Sequence, residues 1–164
     1  MRLKLISAMA AALLLAACAS DEPAATADAN AGGSTNNGIS QGAVTPGSAE
    51  DFQQNVGDRV FFGYDRYDLT AEAQSQLQKQ AAWLAQYPAV TVTVEGHCDE
   101  RGTREYNLAL GERRANAVAN YLTALGVDAG RLSVISYGKE RPECTDSNES
   151  CYAQNRRGVT SVNH

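Results

Sequence analysis

Residues 95–100 bring together several side chains that could bind a metal ion or transfer protons. They are Glu95, His97, Asp99 and Glu100. A metal site usually needs a second histidine or several thiolates at ligand spacing, and the other histidine is the terminal His164. Cys98 follows His97, but adjacent residues at a strand end point apart, so the imidazole could not easily act as a base on the sulfur. Neither a metal centre nor catalysis is therefore expected, and the sequence has no phosphate-binding loop or serine nucleophile motif.

A lone arginine interrupts the apolar face of the helix that should follow this segment. The helix is predicted to start at Thr103 as N-cap, to run to Leu125 and to stop at Gly126. Its apolar face is predicted to contain Leu110, Ala117, Val118, Tyr121 and Leu125. Arg114 lies in the middle of this face, about 100° from Arg113. Because an unpaired buried guanidinium is costly and arginine cannot lose its proton, Arg114 must face an anion or a polar cleft.

The nearest candidate anion is Asp99, in the loop of residues 96–102 between a strand and this helix. Ligand sites in α/β proteins tend to form at such loops. One possibility is an internal Asp99–Arg114 salt bridge that serves only the fold. The other is a zwitterionic ligand. Asp99 would accept hydrogen bonds from its ammonium group, and Arg114 would bind its carboxylate together with the amides of the helix N-terminus. On this second interpretation Asp99→Ala and Arg114→Ala should each weaken binding and leave the fold intact.

The elements that must position these residues form a single α/β domain of the α+β sandwich type, from about residue 51 onwards. Four strands are predicted, at Arg59–Phe62, Val90–Val94, Arg131–Tyr137 and Val159–Val162. A first helix should run from Thr70 to Tyr87, begin at Asp68 or Thr70 and stop at Pro88, and Gln154–Arg157 is predicted to form one helical turn. With 164 residues the chain is too short for a large multidomain enzyme. Its net charge of −5, without a basic run, argues against nucleic acid as a partner.

The N-terminus has the layout of a secretory signal. Arg2 and Lys4 precede an apolar stretch of about 13 residues, well short of the roughly 20 that span a bilayer. Residues 15–18, Leu-Ala-Ala-Cys, resemble the bacterial lipoprotein signal, in which the cysteine is lipidated and becomes the new N-terminus after cleavage. Residues 1–17 are therefore predicted to be a signal peptide and Cys18 the lipidation site. The alternative is an ordinary signal peptide with a chance cysteine.

Residues 18–50 are predicted to be the lipidated cysteine and a flexible tether, since they are rich in small and polar residues and cannot form a core. A lipidated Cys18 leaves three thiols in a chain exported to an oxidising compartment. Cys144 and Cys151 are the natural disulfide partners, and closing their short loop should stabilise the fold by about 2.5 kcal/mol. One cysteine would then remain unpaired.

Residues 96–115, Gly-His-Cys-Asp-Glu-Arg-Gly-Thr-Arg-Glu-Tyr-Asn-Leu-Ala-Leu-Gly-Glu-Arg-Arg-Ala, resemble the signature of the OmpA-like peptidoglycan-binding domain family, in the form found in peptidoglycan-associated lipoproteins. Supporting segments are Phe62–Asp65, Tyr67–Leu69, Gly138–Glu140 and Asn155–Val159, and the resemblance spans nearly all of residues 58–162. The chain departs from the family pattern at Cys98, usually threonine, and at Gly158, usually alanine. The resemblance implies an OmpA-like βαβαβ domain, a mixed sheet with helices packed on one face.

The resemblance also implies a noncovalent receptor for the diaminopimelate residue of the peptidoglycan stem peptide. Carried over by position, Asp99 and Arg114 would be its charged pair. Tyr64 and Asp65 would supply a wall and backbone amides, and Arg101, Thr103 and Leu110 would complete the pocket. The alternatives are core positions for Tyr64 and Leu110 and a solvated loop charge for Arg101. Asn107 is predicted to be a structural hydrogen bonder of the first helical turn and not a ligand contact.

The partners and the location rest on resemblance alone. The partners are peptidoglycan and the TolB and TolA proteins of the Tol-Pal system. The location is the periplasm-facing leaflet of the outer membrane, in which the lipid on Cys18 would anchor the chain. Ala19 lacks the aspartate that retains lipoproteins in the inner membrane in well-studied relatives. The implied role is envelope integrity and outer-membrane constriction at cell division, with no cofactor apart from the covalent lipid. Alternatives are an OmpA-like lipoprotein outside the Tol system and an envelope docking protein without a ligand.

Overall fold

The computed structural model describes residues 44–163. The predicted signal peptide, Cys18 and most of the predicted tether lie outside the described residues. The elements, in chain order, are α1 (Ala49–Asp51), a π-helical stretch (Phe52–Val56), β1 (Arg59–Phe61), α2 (Ala71–Gln86), β2 (Val92–His97), α3 (Arg104–Ala124), a 3-10 turn (Ala129–Arg131), β3 (Leu132–Gly138), α4 (Glu149–Asn155) and β4 (Arg157–Val162). Within residues 44–163, no helix combines the length and apolar character needed to cross a membrane.

The four strands form one mixed sheet in the order β1-β4-β2-β3. β2 and β3 are parallel, whereas β4 is antiparallel to both of its neighbours. The last strand of the chain therefore lies between the first two, with Val60 opposite Gly158 and Val94 opposite Thr160. This arrangement confirms the predicted mixed-sheet α/β fold.

One hydrophobic core joins α2 and α3 to the sheet. Leu77 and Leu84 of α2, Leu122 of α3, and Val92 and Val94 of β2 are almost fully buried in it. Each such side chain contributes about 1.5–3 kcal/mol when it leaves water. The helices pack on the sheet face that the even-numbered residues of β2 share, because side chains alternate along a strand.

Residues 44–50, which the composition assigned to the tether, belong in part to the described fold. Ser48 caps α1 by accepting a hydrogen bond from the Asp51 amide at 3.1 Å. The carboxylate of Asp51 accepts from the Gly47 amide and from the indole of the buried Trp83 at 2.8 and 3.0 Å. The described fold therefore includes residues before residue 51.

The buried face of α3 differs from the predicted one in its rotation about the helix axis. Its buried residues are Asn107, Leu110, Gly111, Arg114, Ala115, Val118, Ala119 and Leu122. The prediction is confirmed for Leu110, Val118 and Arg114 and wrong for Leu125, which is 39% exposed. The small residues Gly111, Ala115 and Ala119 face inwards because the helix axis lies very close to the sheet.

Two glycines make this close approach possible. A methyl group added to Gly96 in β2 would overlap the Gly111 carbonyl group, and one added to Gly111 would overlap the Ser136 hydroxyl and the Gly96 carbonyl oxygen. α3 thus lies directly on the backbone of β2 near the point where this strand ends. The contact fixes the position of the N-terminal half of α3 relative to residues 97–99.

The element boundaries differ from the predictions where the sequence carries no apolar alternation. β2 extends to His97 rather than ending at Val94, because Gly96 has no side chain and His97 is polar although it is buried. The predicted helical turn at Gln154–Arg157 is wrong. Asn148 caps a helix that runs instead from Glu149 to Asn155, with Cys151 and Asn155 as its buried residues.

Candidate ligand-binding site

A cavity of about 200 Å³ lies where β2 ends and α3 begins. Its lining residues come from four parts of the chain: Tyr64, Asp65, Cys98, Asp99, Arg101, Gly102, Tyr106, Asn107, Leu110, Arg114 and Arg156. Three guanidinium groups and two carboxylates are among them. The volume suits one small charged group rather than an extended chain, because pockets for drug-sized ligands start at about 300 Å³.

The loop between β2 and α3 is fixed by hydrogen bonds to its backbone. Asn107 donates to the carbonyl oxygens of Arg101 and Thr103 at 2.8 and 3.1 Å. Lys139 donates to the carbonyl oxygens of Glu100 and Gly102 at 3.0 and 2.7 Å. These bonds hold Asp99 and Arg101 in place at the cavity. The predicted structural role of Asn107 is thereby confirmed, although its side chain also lines the cavity.

Thr103 does not line the cavity. Its hydroxyl accepts a hydrogen bond from the Tyr106 amide at 3.2 Å and so caps α3, as predicted for the start of the helix. The structure brings six of the seven predicted pocket residues together, and Thr103 is the exception. Its contribution to the site is the position of the first turn of α3.

Arg114 is completely buried, and its guanidinium group bonds to three backbone carbonyl oxygens. Nε donates to Arg66 at 2.7 Å, Nη1 to His97 at 2.8 Å and Nη2 to Gly63 at 3.0 Å. The bonds tie α3 to the end of β2 and to the loop that follows β1. Arg114 is therefore structural as well as cavity-lining, and because of these three bonds we now expect Arg114→Ala to destabilise the fold rather than leave it intact.

No carboxylate among residues 44–163 forms an ion pair with Arg114. The ion pairs of Asp99 are with Arg101 at 2.6 Å and with Arg156 at 3.3 Å. The proposed internal Asp99–Arg114 salt bridge is therefore absent from the described part of the chain. Burial lowers the pKa of Arg114, but the group stays protonated because the guanidinium pKa is so high. The cavity thus contains a buried cation whose charge the three neutral carbonyl groups do not cancel.

Asp99 is buried, and four hydrogen bonds reach its carboxylate. Besides Arg156 Nη1, the donors are the backbone amide, Nε and Nη2 of Arg101, at 3.1, 3.3 and 2.6 Å. Burial alone would raise the pKa of Asp99, but the hydrogen bonds from Arg101 and Arg156 outweigh it and lower the pKa. Asp99 is therefore ionised at neutral pH.

Arg101 lies between two aromatic rings. Its guanidinium carbon is 4.2 Å from the centre of the Tyr64 ring and 4.3 Å from that of the Tyr152 ring. Its Nη1 is 3.5 Å from Glu149, and its side chain is 34% exposed. Arg101 is thus more than a solvated loop charge. Tyr64, at 62% exposure, is not a core residue but forms an open wall of the cavity.

Asp65 and Tyr106 close the side of the cavity next to Tyr64. The Tyr106 hydroxyl donates to the Asp65 carboxylate. Asp65 has a φ of 54°, a left-handed conformation that is rare outside glycine and asparagine or aspartate. This backbone turn directs the chain after β1 over the cavity. Leu110, which is buried on the inner face of α3, forms part of the apolar lining.

Two cysteine predictions concern this end of the molecule. The structure joins Cys144 to Cys151 in a disulfide. Cys98 is a buried free thiol that donates to the Asn107 carbonyl oxygen at 3.3 Å. Burial raises the pKa of Cys98, so the group is a neutral thiol at the wall of the cavity.

Arg156 is a cavity residue to which the sequence reasoning gave no role. Its side chain is 8% exposed, and it donates to the Phe62 carbonyl oxygen at 3.1 Å and to Glu149 at 2.7 Å as well as to Asp99. The only signal for it was its place in the segment Asn155–Val159, which resembles the family pattern. Its proximity to Asp99 depends on β4 lying beside β2, which no local pattern indicates.

The cluster of acidic and histidine residues at 95–100 is not gathered at one point. His97 Nε2 lies 3.3 Å from Glu95, and the His97 ring packs on Tyr137. Glu100 instead accepts hydrogen bonds from Ser147 and Tyr152, both at 2.8 Å. Among the residues described, no group of three or more histidine, cysteine or acidic side chains is placed to hold a metal ion.

The fold and the site define the class of this protein. It is a small α/β domain with a charged cavity between the end of a strand and the start of a helix. The model of the OmpA family matches residues 61–156. A peptidoglycan-associated lipoprotein of Agrobacterium fabrum is 50% identical over 157 residues, which cover 94% of this chain and 85% of the relative. One from Haemophilus influenzae is 51% identical over 112 residues, 68% of this chain and 72% of the relative.

A crystal structure of the peptidoglycan-associated lipoprotein from Burkholderia pseudomallei agrees with this similarity. It is 36% identical, has a TM-score of 0.66, and matches over 71% of this chain and 100% of that chain. The chain therefore belongs to the OmpA family and, within it, to the peptidoglycan-associated lipoproteins. This membership confirms the family prediction and agrees with a protein that is not an enzyme.

Proposed function

We propose that this chain is an outer-membrane lipoprotein that binds the diaminopimelate residue of peptidoglycan noncovalently and so links the membrane to the cell wall. The observation that carries the proposal is the buried charge of Arg114. It lines the same cavity as the ionised Asp99 but has no carboxylate partner within residues 44–163. A ligand that carries both an ammonium group and a carboxylate complements these two charges.

The carboxylate of the ligand would bind to Arg114. A guanidinium group has five N–H donors, and backbone carbonyl groups take three of those on Arg114. Two donors are not bonded to carbonyl groups, and the Cys98 thiol beside them is only a weak partner. An incoming carboxylate would be a stronger acceptor for them and would also neutralise the buried charge. Charge-assisted bonds of this kind are roughly twice as strong as bonds between neutral groups.

The ammonium group of the ligand would bind to Asp99, whose pKa is lowered so that it remains a carboxylate. Tyr64, Asp65, Arg101 and Leu110 would form the rest of the site. Thr103 would act through the cap of α3 and not by contact with the ligand. The far end of diaminopimelate in a stem peptide presents both charged groups on one carbon, which fits the small cavity.

The remaining parts of the proposal rest on family resemblance and on residues outside the described structure. Cys18 would carry the lipid that anchors the chain to the periplasmic face of the outer membrane, and residues 18–50 would tether the domain. A lipid with several acyl chains holds firmly, since each buried methylene contributes about 0.8 kcal/mol. TolB and TolA would be the protein partners, with a role in envelope integrity and in outer-membrane constriction at cell division.

The test is cosedimentation of the delipidated chain with isolated peptidoglycan sacculi. Asp99→Asn keeps the shape of the side chain and removes its charge, so retention on sacculi should fall about tenfold or more. Glu112→Gln is the matched control, because it removes a carboxylate charge from an exposed position of α3. Circular dichroism must show that both variants are folded. Equal retention of Asp99→Asn and wild type would contradict the proposed site.

A pair of soluble ligands tests the chemistry of recognition. Muropeptides that carry either diaminopimelate or lysine at the same position differ only in the terminal carboxylate. The diaminopimelate form should compete with sacculi, and the lysine form should compete much more weakly because it offers Arg114 no anion. Release of soluble fragments would instead indicate an enzyme, and failure to bind sacculi would favour an envelope docking protein.

A further inference from the structure

The acceptor sites of Asp99 are already filled within the folded chain. A carboxylate offers about four lone-pair sites, and Asp99 receives four donors, three from Arg101 and one from Arg156. The Arg101 side chain supplies two of them, at 2.6 and 3.3 Å, in the forked geometry typical of arginine and carboxylate. Arg114 differs, because two of its five donors are not used by carbonyl groups. An ammonium group can therefore reach Asp99 only if one of these donors leaves.

We propose that the guanidinium group of Arg101 occupies the ammonium subsite in the ligand-free protein and competes with the ligand for Asp99. This inference rests on the proposed function. The family resemblance implies that Arg101 completes the pocket and so increases the affinity for the ligand. The competition predicts the opposite, namely that Arg101 decreases this affinity. On the present geometry Arg101 limits the affinity for ligands with an ammonium group and makes their binding depend on a carboxylate as well.

Arg101 is the donor that can move. Arg156 is held by the Phe62 carbonyl oxygen and by Glu149 and is nearly inaccessible to solvent. The Arg101 side chain is 34% exposed and has no other bond of comparable length. Its backbone is fixed independently, since the Arg101 carbonyl oxygen accepts from Asn107. The side chain can therefore leave while the loop stays in place.

The structure also offers the displaced side chain a second position. Glu149 lies 3.5 Å from Arg101 Nη1 and is 66% exposed, so it can take up the guanidinium group. Tyr152, whose ring centre is 4.3 Å from the guanidinium carbon, belongs to α4, as Glu149 does. A shift from Asp99 towards Glu149 keeps the charge of Arg101 paired. The competition is therefore mild, and a ligand with both charged groups can overcome it.

A ligand that displaces Arg101 from Asp99 must also bind Arg114 if it is to gain affinity. A ligand with an ammonium group alone exchanges one cation for another at Asp99 and gains little. A ligand that also carries a carboxylate gains the bonds to Arg114, which no group in the described chain can supply in its place. Arg101 thus acts as a specificity-determining residue that disfavours ligands whose only charged group is an ammonium group.

The experiment is isothermal titration calorimetry of the full chain in detergent, with a stem tripeptide that ends in diaminopimelate as the probe. Arg101→Gln should bind this tripeptide roughly two- to fivefold more tightly than wild type, the range expected when a part-exposed ion pair no longer competes. Arg101→Lys keeps the charge without the fork and should give an intermediate gain. Arg104→Gln is the control, since it removes an exposed guanidinium that pairs with Glu140 and lies outside the cavity.

A second tripeptide separates competition from a general structural effect. It ends in 2-aminopimelate, which keeps the side-chain carboxylate but lacks the side-chain ammonium group. Arg101→Gln should not bind this tripeptide more tightly than wild type does. An equal gain for both tripeptides, or a loss of affinity for the diaminopimelate form, would overturn the competition. Wild type that binds neither tripeptide would overturn the proposed function itself, and the competition with it.

Discussion

The clearest quantitative prediction concerns the replacement of Arg114 by alanine, with Arg113→Ala as the matched control. The two arginines are adjacent on α3 but differ completely in environment. Arg114 is fully buried and bonds to three carbonyl oxygens, whereas Arg113 is exposed and only approaches the rings of Tyr67 and Tyr106. Any difference between the variants therefore reports the buried bonds and not the helix propensity or the charge.

The expected loss follows from the three bonds of Arg114. At about 1.5 kcal/mol each, bonds from a charged donor would total about 4.5 kcal/mol. Water can replace part of this at Gly63 and Arg66, whose bonds are only partly buried, but not at the buried His97 carbonyl oxygen. Removal of the desolvated charge also returns some free energy. The net expectation is a decrease of about 3 kcal/mol in the free energy of unfolding, or roughly 10 °C in Tm.

Urea unfolding provides the assay, with Trp83 as the fluorescent probe because it is the only tryptophan in the chain. Arg113→Ala should change the free energy of unfolding by no more than about 0.5 kcal/mol, as is usual for an exposed position. The m-values should be equal if both variants unfold in two states. A difference below about 1 kcal/mol between the two variants would refute the view that Arg114 joins α3 to the neighbouring loops.

Three further predictions concern other residues near the site. Gly96→Ala should destabilise the fold by about 3 kcal/mol or more in urea unfolding, because the added methyl group overlaps the Gly111 carbonyl; wild-type stability would contradict this packing. Burial and the nearby Arg157 lower the pKa of His97 in the folded chain. As the pH decreases, His97 is therefore protonated at a higher pH in the unfolded chain than in the folded one, and stability should fall below about pH 6.5. His97→Gln should flatten this slope in pH-dependent unfolding, and an unchanged slope would assign it to other groups. Thiol titration of denatured, delipidated protein should find one free cysteine, Cys98, and a count of three would disprove the disulfide.

Much of the fold was predictable because its signals are local. Thr70 and Thr103 cap α2 and α3 as expected, and both helices end within a residue or two of the predicted positions. The alternation of residues 90–94 correctly indicated β2, although the strand begins and ends later than predicted, at Val92 and His97. α4 was mispredicted because it buries only Cys151 and Asn155, which leaves no apolar periodicity to read.

The residues of the site could be predicted more completely than their contacts. The position of Arg114 on the inner face of α3 follows from helical periodicity, and its burial is confirmed. Its expected partner was Asp99 in the loop before the helix, but the structure pairs Asp99 with Arg101 and with Arg156, which is 57 positions away. The sequence thus placed Asp99 and Arg114 at the same site but did not show which groups each of them contacts.

The sequence by itself determined the two long helices, the approximate positions of the strands, the disulfide partners and the presence of a cation on an apolar helix face, since caps, periodicity and spacing act over a few residues. Only the tertiary structure decided what surrounds that cation. Gly63 and Arg66 reach Arg114 from 51 and 48 positions earlier, and Arg156 reaches Asp99 because β4 inserts beside β2. The physical reason is that hydrogen bonds and charges respond to distance in space, which is set when the strands assemble and two glycines let α3 lie on the sheet.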